Sequence, residues 1–356
     1  MSGANANSKR SASAIARSLK KGCSHQKMFF RSLAALLLLA TITFAANNVS
    51  VTIKEWDTPS PNTHPHDTEI GPDGSLWYTG QYANVIGRLD IDTGKIQEYK
   101  IKNRDSGPHG LVADKEGNIW FTANNKAYIG KLNPKTGEIV EYPMPDPTAR
   151  DPHTPLFDPS GILWFTVQQG NFVGKLDPKT GKVTLKQSPT PRSNPYGLRM
   201  DSKGTPWYCE FGSNKIARID PQTMEIKEYI LPDGARPRRF TIAANDIIYY
   251  SDHQRGYLGR LDPKTGKVEE WPSPGGPTSR PYAITALPDG TIWYSESNVT
   301  PNTMVRFDPK DNSFMSWPIP SGGGVLRHFV ANKEGNKIYI ACSGVNKVGV
   351  VEISKK

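Results

Sequence analysis

Seven times between residues 64 and 331 the chain returns to one short backbone motif, and no other feature restricts its fold as tightly. The segments "HPHDTEI", "GPHGLVA", "DPHTPLF", "NPYGLRM", "RPRRFTI", "RPYAITA" and "VLRHFVA" align without gaps. The residue after the proline, or after its equivalent, is His66, His109, His153, Tyr196, Arg238, Tyr282 and Arg327, at intervals of 43, 44, 43, 42, 44 and 45. After each comes a turn such as "PDG" or "KEG", a run like "LWYT" or "IWFT", then "IGRLD" or "VGKLD", and a turn of the "DPKTGK" kind. The unit closes on an aromatic residue and proline, as in "EIVEYPMP". Glycine in these turns supplies positive φ, and the proline of "DPKTG" presets φ ahead of it. The runs between turns are rich in β-branched and aromatic residues, and no helical periodicity stands out after residue 46.

Four short strands in a period of about 40–45 residues is the signature of a β-propeller blade. The expected fold is therefore all-β, a seven-bladed β-propeller with four antiparallel strands per blade. The seventh unit stops after its third strand, while Val51–Pro59 reads as an orphan fourth strand. The N-terminal strand should complete the last blade and close the ring, hiding both sheet edges.

The first 45 residues stand apart from this repeat. Residues 1–31 hold seven Lys or Arg and no acid, and Leu33–Phe44 is an apolar run too short to span a bilayer. The pattern is that of a secretory signal, so 1–45 is expected to be removed and 46–356 to form one propeller, exported to the periplasm or beyond. The formal charge of +10 then shrinks, because 37 basic residues face 34 acids once the segment is gone. No basic run remains to suggest nucleic acid. The expectation is a monomer without stable membrane insertion, and with a small-molecule partner. Cys209 and Cys342 remain, on blades four and seven, too far apart around the ring to bridge.

Two columns should meet at one mouth of the central channel: the post-proline residues and the ends of the second strands. The second column reads Gly80, Ala123, Val167, Glu210, Asp252, Glu296 and Cys342. This gives imidazoles at His66, His109 and His153, and carboxylates at Glu210, Asp252 and Glu296. The carboxylates are candidates to hold a hard cation, or to pair with Arg238 and Arg327. Blade-to-blade spacing argues against one metal bridging the histidines. His66, Tyr196, Arg238, Tyr282 and Arg327 are the candidate ligand contacts. His64 of "HPH" adds a weak metal signal, and His253 falls on a loop at the same mouth. The tryptophans of the second strands (Trp77, Trp120, Trp164, Trp207, Trp293) read as core between blades.

The combination "P-[HY]-G-[LI]", "[LI]-W-F-T" and "[IV]-G-[RK]-[LI]-[DN]" over residues 51–353 resembles the streptogramin lyases, the virginiamycin B lyase family. That resemblance implies elimination at the ester of a cyclic depsipeptide, with a histidine removing the proton and Mg²⁺ stabilising the charge that forms. The family's "RPHAIT" is here "RPYAIT", with Tyr282 in place of the substrate-contacting histidine. The family's "EPHG" is here "VLRH": Val325 replaces the metal-binding glutamate and Arg327 the catalytic histidine. Arginine cannot serve as a base near neutral pH. The first expectation is thus a lyase-like propeller that has lost the family reaction and binds a small polar or anionic ligand in the funnel. The alternatives are an active lyase with its base relocated to His109, His153 or His328, and a protein-interaction scaffold.

Overall fold

The computed structural model describes residues 49–355, which form seven four-stranded antiparallel sheets. The export segment expected at 1–45 lies outside the described residues. Blade one shows the plan: an inner strand Pro65–Ile70, then Leu76–Gly80, Val85–Leu89 and an outer strand Ile96–Lys100. The inner strands of neighbouring blades pack on one another around the axis. The last sheet runs Val49–Asp57, Lys347–Lys355, Lys337–Cys342, Leu326–Ala331. The closing strand begins two residues earlier than the sequence suggested, because its pairing with Lys347–Lys355 runs unbroken from Val49↔Lys355 to Asp57↔Lys347. The one departure from all-β among the described residues is a single 3-10 turn at Ser343–Val345.

The tryptophans occupy the spaces between blades as expected, and Trp120, Trp164 and Trp293 are fully buried. In blades two to four the indole N–H donates to an aspartate of the preceding turn: Trp120 to Asp114, Trp164 to Asp158 and Trp207 to Asp201. That bond satisfies a polar group which would otherwise be stranded in the core.

Every inner strand carries a β-bulge just after the proline position. In blade one Pro65 pairs with Gly80 and Thr68 with Tyr78, so His66 and Asp67 together face Thr79. The same offset recurs in the other blades, from Pro108/Leu111 to Leu326/Phe329. A bulge sets two residues opposite one and leaves a backbone N–H without its ladder partner. Here the side chain across the bulge supplies that partner: Thr79 Oγ1 accepts Asp67 N–H at 3.1 Å and donates to His109 O of the next blade at 2.6 Å. Thr122, Thr166, Cys209, Ser251 and Ser295 repeat the donation to the following blade. The bulges turn two successive side chains toward the axis, and thereby build the site.

Candidate functional site

At the mouth where the inner strands begin, a cavity of ≈ 570 Å³ is lined by His66, His109, His153, Tyr196, Arg238 and Arg327, with His64, Tyr82, Asn124, Asp151 and Gln168 on its rim. Four rings from consecutive blades overlap in a staircase. The centroids are 3.6 Å apart for His66–His109, 3.8 Å for His109–His153 and 3.8 Å for His153–Tyr196. The blades thus approach more closely at the axis than the sequence argument allowed. Ligating atoms of His66, Asp67 and His109 all lie within 4.8 Å of one another, a set able to hold a metal ion or a polar ligand.

The imidazoles are buried and neutral. Burial, then the charge of Arg327, holds His66 well below the ordinary 6.5. Burial acts first on His109 and His153 as well, followed by the neighbouring histidine. His66 Nδ1 and His153 Nδ1 have partners in Asp67 Oδ1 and Thr154 Oγ1, each at 2.9 Å. His109 Nδ1 is buried and has none.

In blades one and five the second residue of the bulge forms a deeper layer that sequence reasoning missed. Arg239 Nη2 crosses the axis to both carboxylate oxygens of Asp67, at 2.7 and 2.9 Å, and both side chains are almost wholly buried. Burial alone would raise the Asp67 carboxyl, but Arg239 outweighs it and holds the group below its usual range. A charged residue directly after the marker in two blades, "HPHD" and "RPRR", was the available signal.

Arg238 lies over Tyr282, 3.9 Å from the ring centroid, with Phe211 at 4.8 Å and Tyr196 at 5.4 Å. Its Nη1 is 3.0 Å from His253 Nε2, which gives His253 a place behind the arginine. Tyr282, expected to meet ligand, is instead fully buried under Arg238 and hydrogen-bonded to the Tyr196 hydroxyl. Burial pushes its phenol up, yet Arg238, Arg327 and Arg239 together bring it below the ordinary value. Arg327 donates from Nε to Ser343 Oγ at 3.0 Å and keeps its face to the cavity.

The carboxylates do not join this site, and the expected pairing of Glu210, Asp252 and Glu296 with Arg238 and Arg327 is corrected. Each acid pairs across the sheet with the proline itself, as in Pro195↔Glu210, Pro237↔Asp252 and Pro281↔Glu296. Strand side chains alternate, so the acid and the post-proline residue point to opposite faces. Glu210 accepts from Ser188 and Ser213, Asp252 from Arg255, and Glu296 from Ser273, Thr303 and the Gly275 N–H. His328 is corrected as well. The bulge turns it to the axis but below the funnel, with Nδ1 3.1 Å from Thr68 O, and it lines a different cavity.

The Mg²⁺ implied by the family resemblance does not fit these residues. Mg²⁺ prefers oxygen ligands in near-octahedral array. Here the donors are two imidazoles and one carboxylate already engaged by Arg239. The position of the family's glutamate holds Val325, which packs against the apolar cluster around Tyr196 and Tyr282. Nitrogen-rich donors of this kind suit zinc or another transition metal better.

A crystal structure of virginiamycin B lyase from Staphylococcus aureus superimposes with a TM-score of 0.77 at 26% identity, covering 85% of this chain and 99% of that one. A catalytically inactive variant of that enzyme with quinupristin gives 0.77, again at 26% identity, 85% and 99%. A streptogramin B lyase structure gives 0.76 at 28% identity, over 85% of this chain and 98% of the other. No curated protein sequence matches the chain. The sequence pattern of the virginiamycin B lyase family matches residues 42–265 and stops before the two blades that carry Tyr282, Val325 and Arg327. With more than half its length matched and the full ring superimposing on the lyases, the chain belongs to the virginiamycin B lyase family.

Proposed function

We propose that the chain is a lyase of its family whose reacting centre has moved from blades six and seven to blades one to three, and that it opens a polar ester by C–O elimination in the upper cavity. The observation that carries this reading is His109: a neutral imidazole lining a 570 Å³ cavity together with Arg238 and Arg327, with its buried Nδ1 unpartnered. A neutral imidazole is the form that accepts a proton. The proton leaves the carbon next to a carbonyl and goes to His109, the electron pair forms a C=C bond, and the C–O bond breaks to release a carboxylate. Arg238 and Arg327 would hold the charge that develops on oxygen, a role that fixed cations fill well in a site shielded from water. The charge of Asp67 opposes the burial that lowers His109, and so supports its protonated form.

A second reading rests on a specific observation. Arg327 and Val325 stand where the family has its histidine and glutamate, which favours a propeller that binds a small anionic ligand in the same cavity without turning it over. One experiment separates the two. The purified protein is incubated with a streptogramin B ring, and the linear product is followed by mass with and without chelator. Turnover that resists chelator and is lost in His109→Gln supports the elimination reading. Saturable binding of the ring without product, lost in Arg327→Gln, supports the binding reading. Neither binding nor product removes both for this substrate class.

A further inference from the structure

The axis has a second mouth. At the end where the inner strands finish, a cavity of ≈ 410 Å³ is lined by Glu69, Arg199 and His328 together with Leu156, Ile242 and Val330, and shares no residue with the upper one. Asp67 and Arg239 stand at inner-strand positions between the two.

The guanidinium of Arg199 is the unusual feature of this mouth. Its Nη1 donates to Leu198 O at 2.9 Å, and its Nη2 lies 3.4 Å from His328 Nε2. Among the described residues it forms no hydrogen bond to a carboxylate. Glu69 lines the same cavity, but its Oε1 accepts the Ile70 N–H at 2.7 Å rather than a donor of Arg199. Burial, with the charge of Arg239 added, lowers Arg199 to about 10, outweighing the opposing charges of Asp67 and Glu69. A guanidinium has five N–H donors, so more than half of those on Arg199 are unengaged. His328 fixes the fork: its Nδ1 faces Thr68 O at 3.1 Å, which leaves Nε2 as the acceptor turned to Arg199.

The remainder of the wall is apolar. Leu156, Ile242, Phe329 and Val330 line the cavity beside Arg199 and His328. A planar fork of donors matches a carboxylate in two-point geometry, and an apolar wall takes a hydrocarbon tail. A dianion such as phosphate would meet more repulsion from Glu69 and gain nothing from the aliphatic wall. We propose that the lower mouth binds a small monocarboxylate with a short aliphatic tail, the carboxylate held by Arg199 and the tail by Leu156, Ile242 and Val330.

The test uses the whole protein, with butyrate as probe and butyramide as its uncharged counterpart, read by calorimetry and by ligand-observed NMR. Wild type should bind butyrate saturably and butyramide at least about tenfold more weakly, the loss of a charge-assisted pair. Arg199→Gln should abolish butyrate binding, Arg199→Lys should weaken it, and Arg327→Gln at the upper mouth should leave it unchanged. Equal binding of the two probes, no saturable binding, or binding that survives Arg199→Gln overturns the proposal. Should Arg199→Gln fail to fold, Glu69→Gln decides: removing the like charge should tighten butyrate binding several-fold, and unchanged or weaker binding overturns the assignment.

Discussion

Arg239 on blade five and Asp67 on blade one meet across the central axis, joined by one nitrogen and both carboxylate oxygens at 2.7 and 2.9 Å. The pair is nearly sealed from water, and Arg239 Nε and Nη1 have no partner at all. Removing one member of such a pair leaves an uncompensated buried charge. Arg239→Met and Asp67→Asn should each cost about 3–5 kcal/mol by denaturant unfolding, and the double variant should recover much of that loss. Additive losses in the double variant would show that the two charges do not depend on each other.

Cys209 serves as a hydrogen-bonding group rather than a redox group. Its Sγ accepts Gly197 N–H at 3.2 Å and donates to Arg238 O at 3.1 Å, the task that Thr79, Thr122 and Thr166 perform in blades one to three. Burial raises its thiol to about 12, so the thiolate is scarce. Cys209→Ser should change stability by less than about 1 kcal/mol, whereas Cys209→Ala strands a buried donor and acceptor and should cost about 1–3 kcal/mol. Thiol titration should find both Cys209 and Cys342 only after denaturation, and a native, rapid reaction of either would contradict their burial.

The pH dependence of stability has a definite sign. All six described histidines are held neutral by burial, His64 to about 4 and His253 and His328 to about 3, with His66, His109 and His153 also well below 6.5. Below pH 6.5 the unfolded chain takes up protons that the folded chain refuses, so stability falls as pH drops toward 4. Glu69 and Glu210, raised to about 7, and Asp151, raised to about 6, act the other way, favouring the fold below neutral pH. Six groups outweigh three, and the Tm should decline between pH 6.5 and 4. His328→Gln should flatten that slope, and a Tm that rises toward pH 4 would contradict the reading.

Closure of the ring can be tested by truncation. Val49–Asp57 supplies the outer strand of blade seven, and Glu55 also takes the Ser321 hydroxyl and N–H at 2.5 and 2.9 Å. A chain starting after residue 60 should expose the edge of Lys347–Lys355 and aggregate, as seen by light scattering. Unchanged solubility and Tm would mean that blade seven stands on three strands.

The blade count, the closing strand and the tryptophan core were legible because each depends on a period that the sequence states openly. The site was only half legible. His66, His109 and His153 were found from their column, but setting the acids opposite the post-proline residues put Glu210, Asp252 and Glu296 on the wrong face, since each pairs with the proline one position earlier. A bulge changes which residues share a face without any residue type announcing it. For the same reason Asp67, Arg239 and Arg199 went unnoticed, although each lies within four residues of a marker.

The handoff from each blade's hydroxyl or thiol to the carbonyl of the next runs in one direction around the ring, and it is interrupted once. Blade seven has Ala341 at the relevant place, and Ser343 reaches Pro65 O from the neighbouring turn instead, at 2.7 Å. The same serine receives Arg327 Nε, so the joint between the last blade and the first is fastened by a residue that also anchors a guanidinium of the upper mouth. One hydroxyl therefore serves two neighbours at once, the seam between the last and first blades and a guanidinium of the upper mouth, a double duty that no other member of the relay carries.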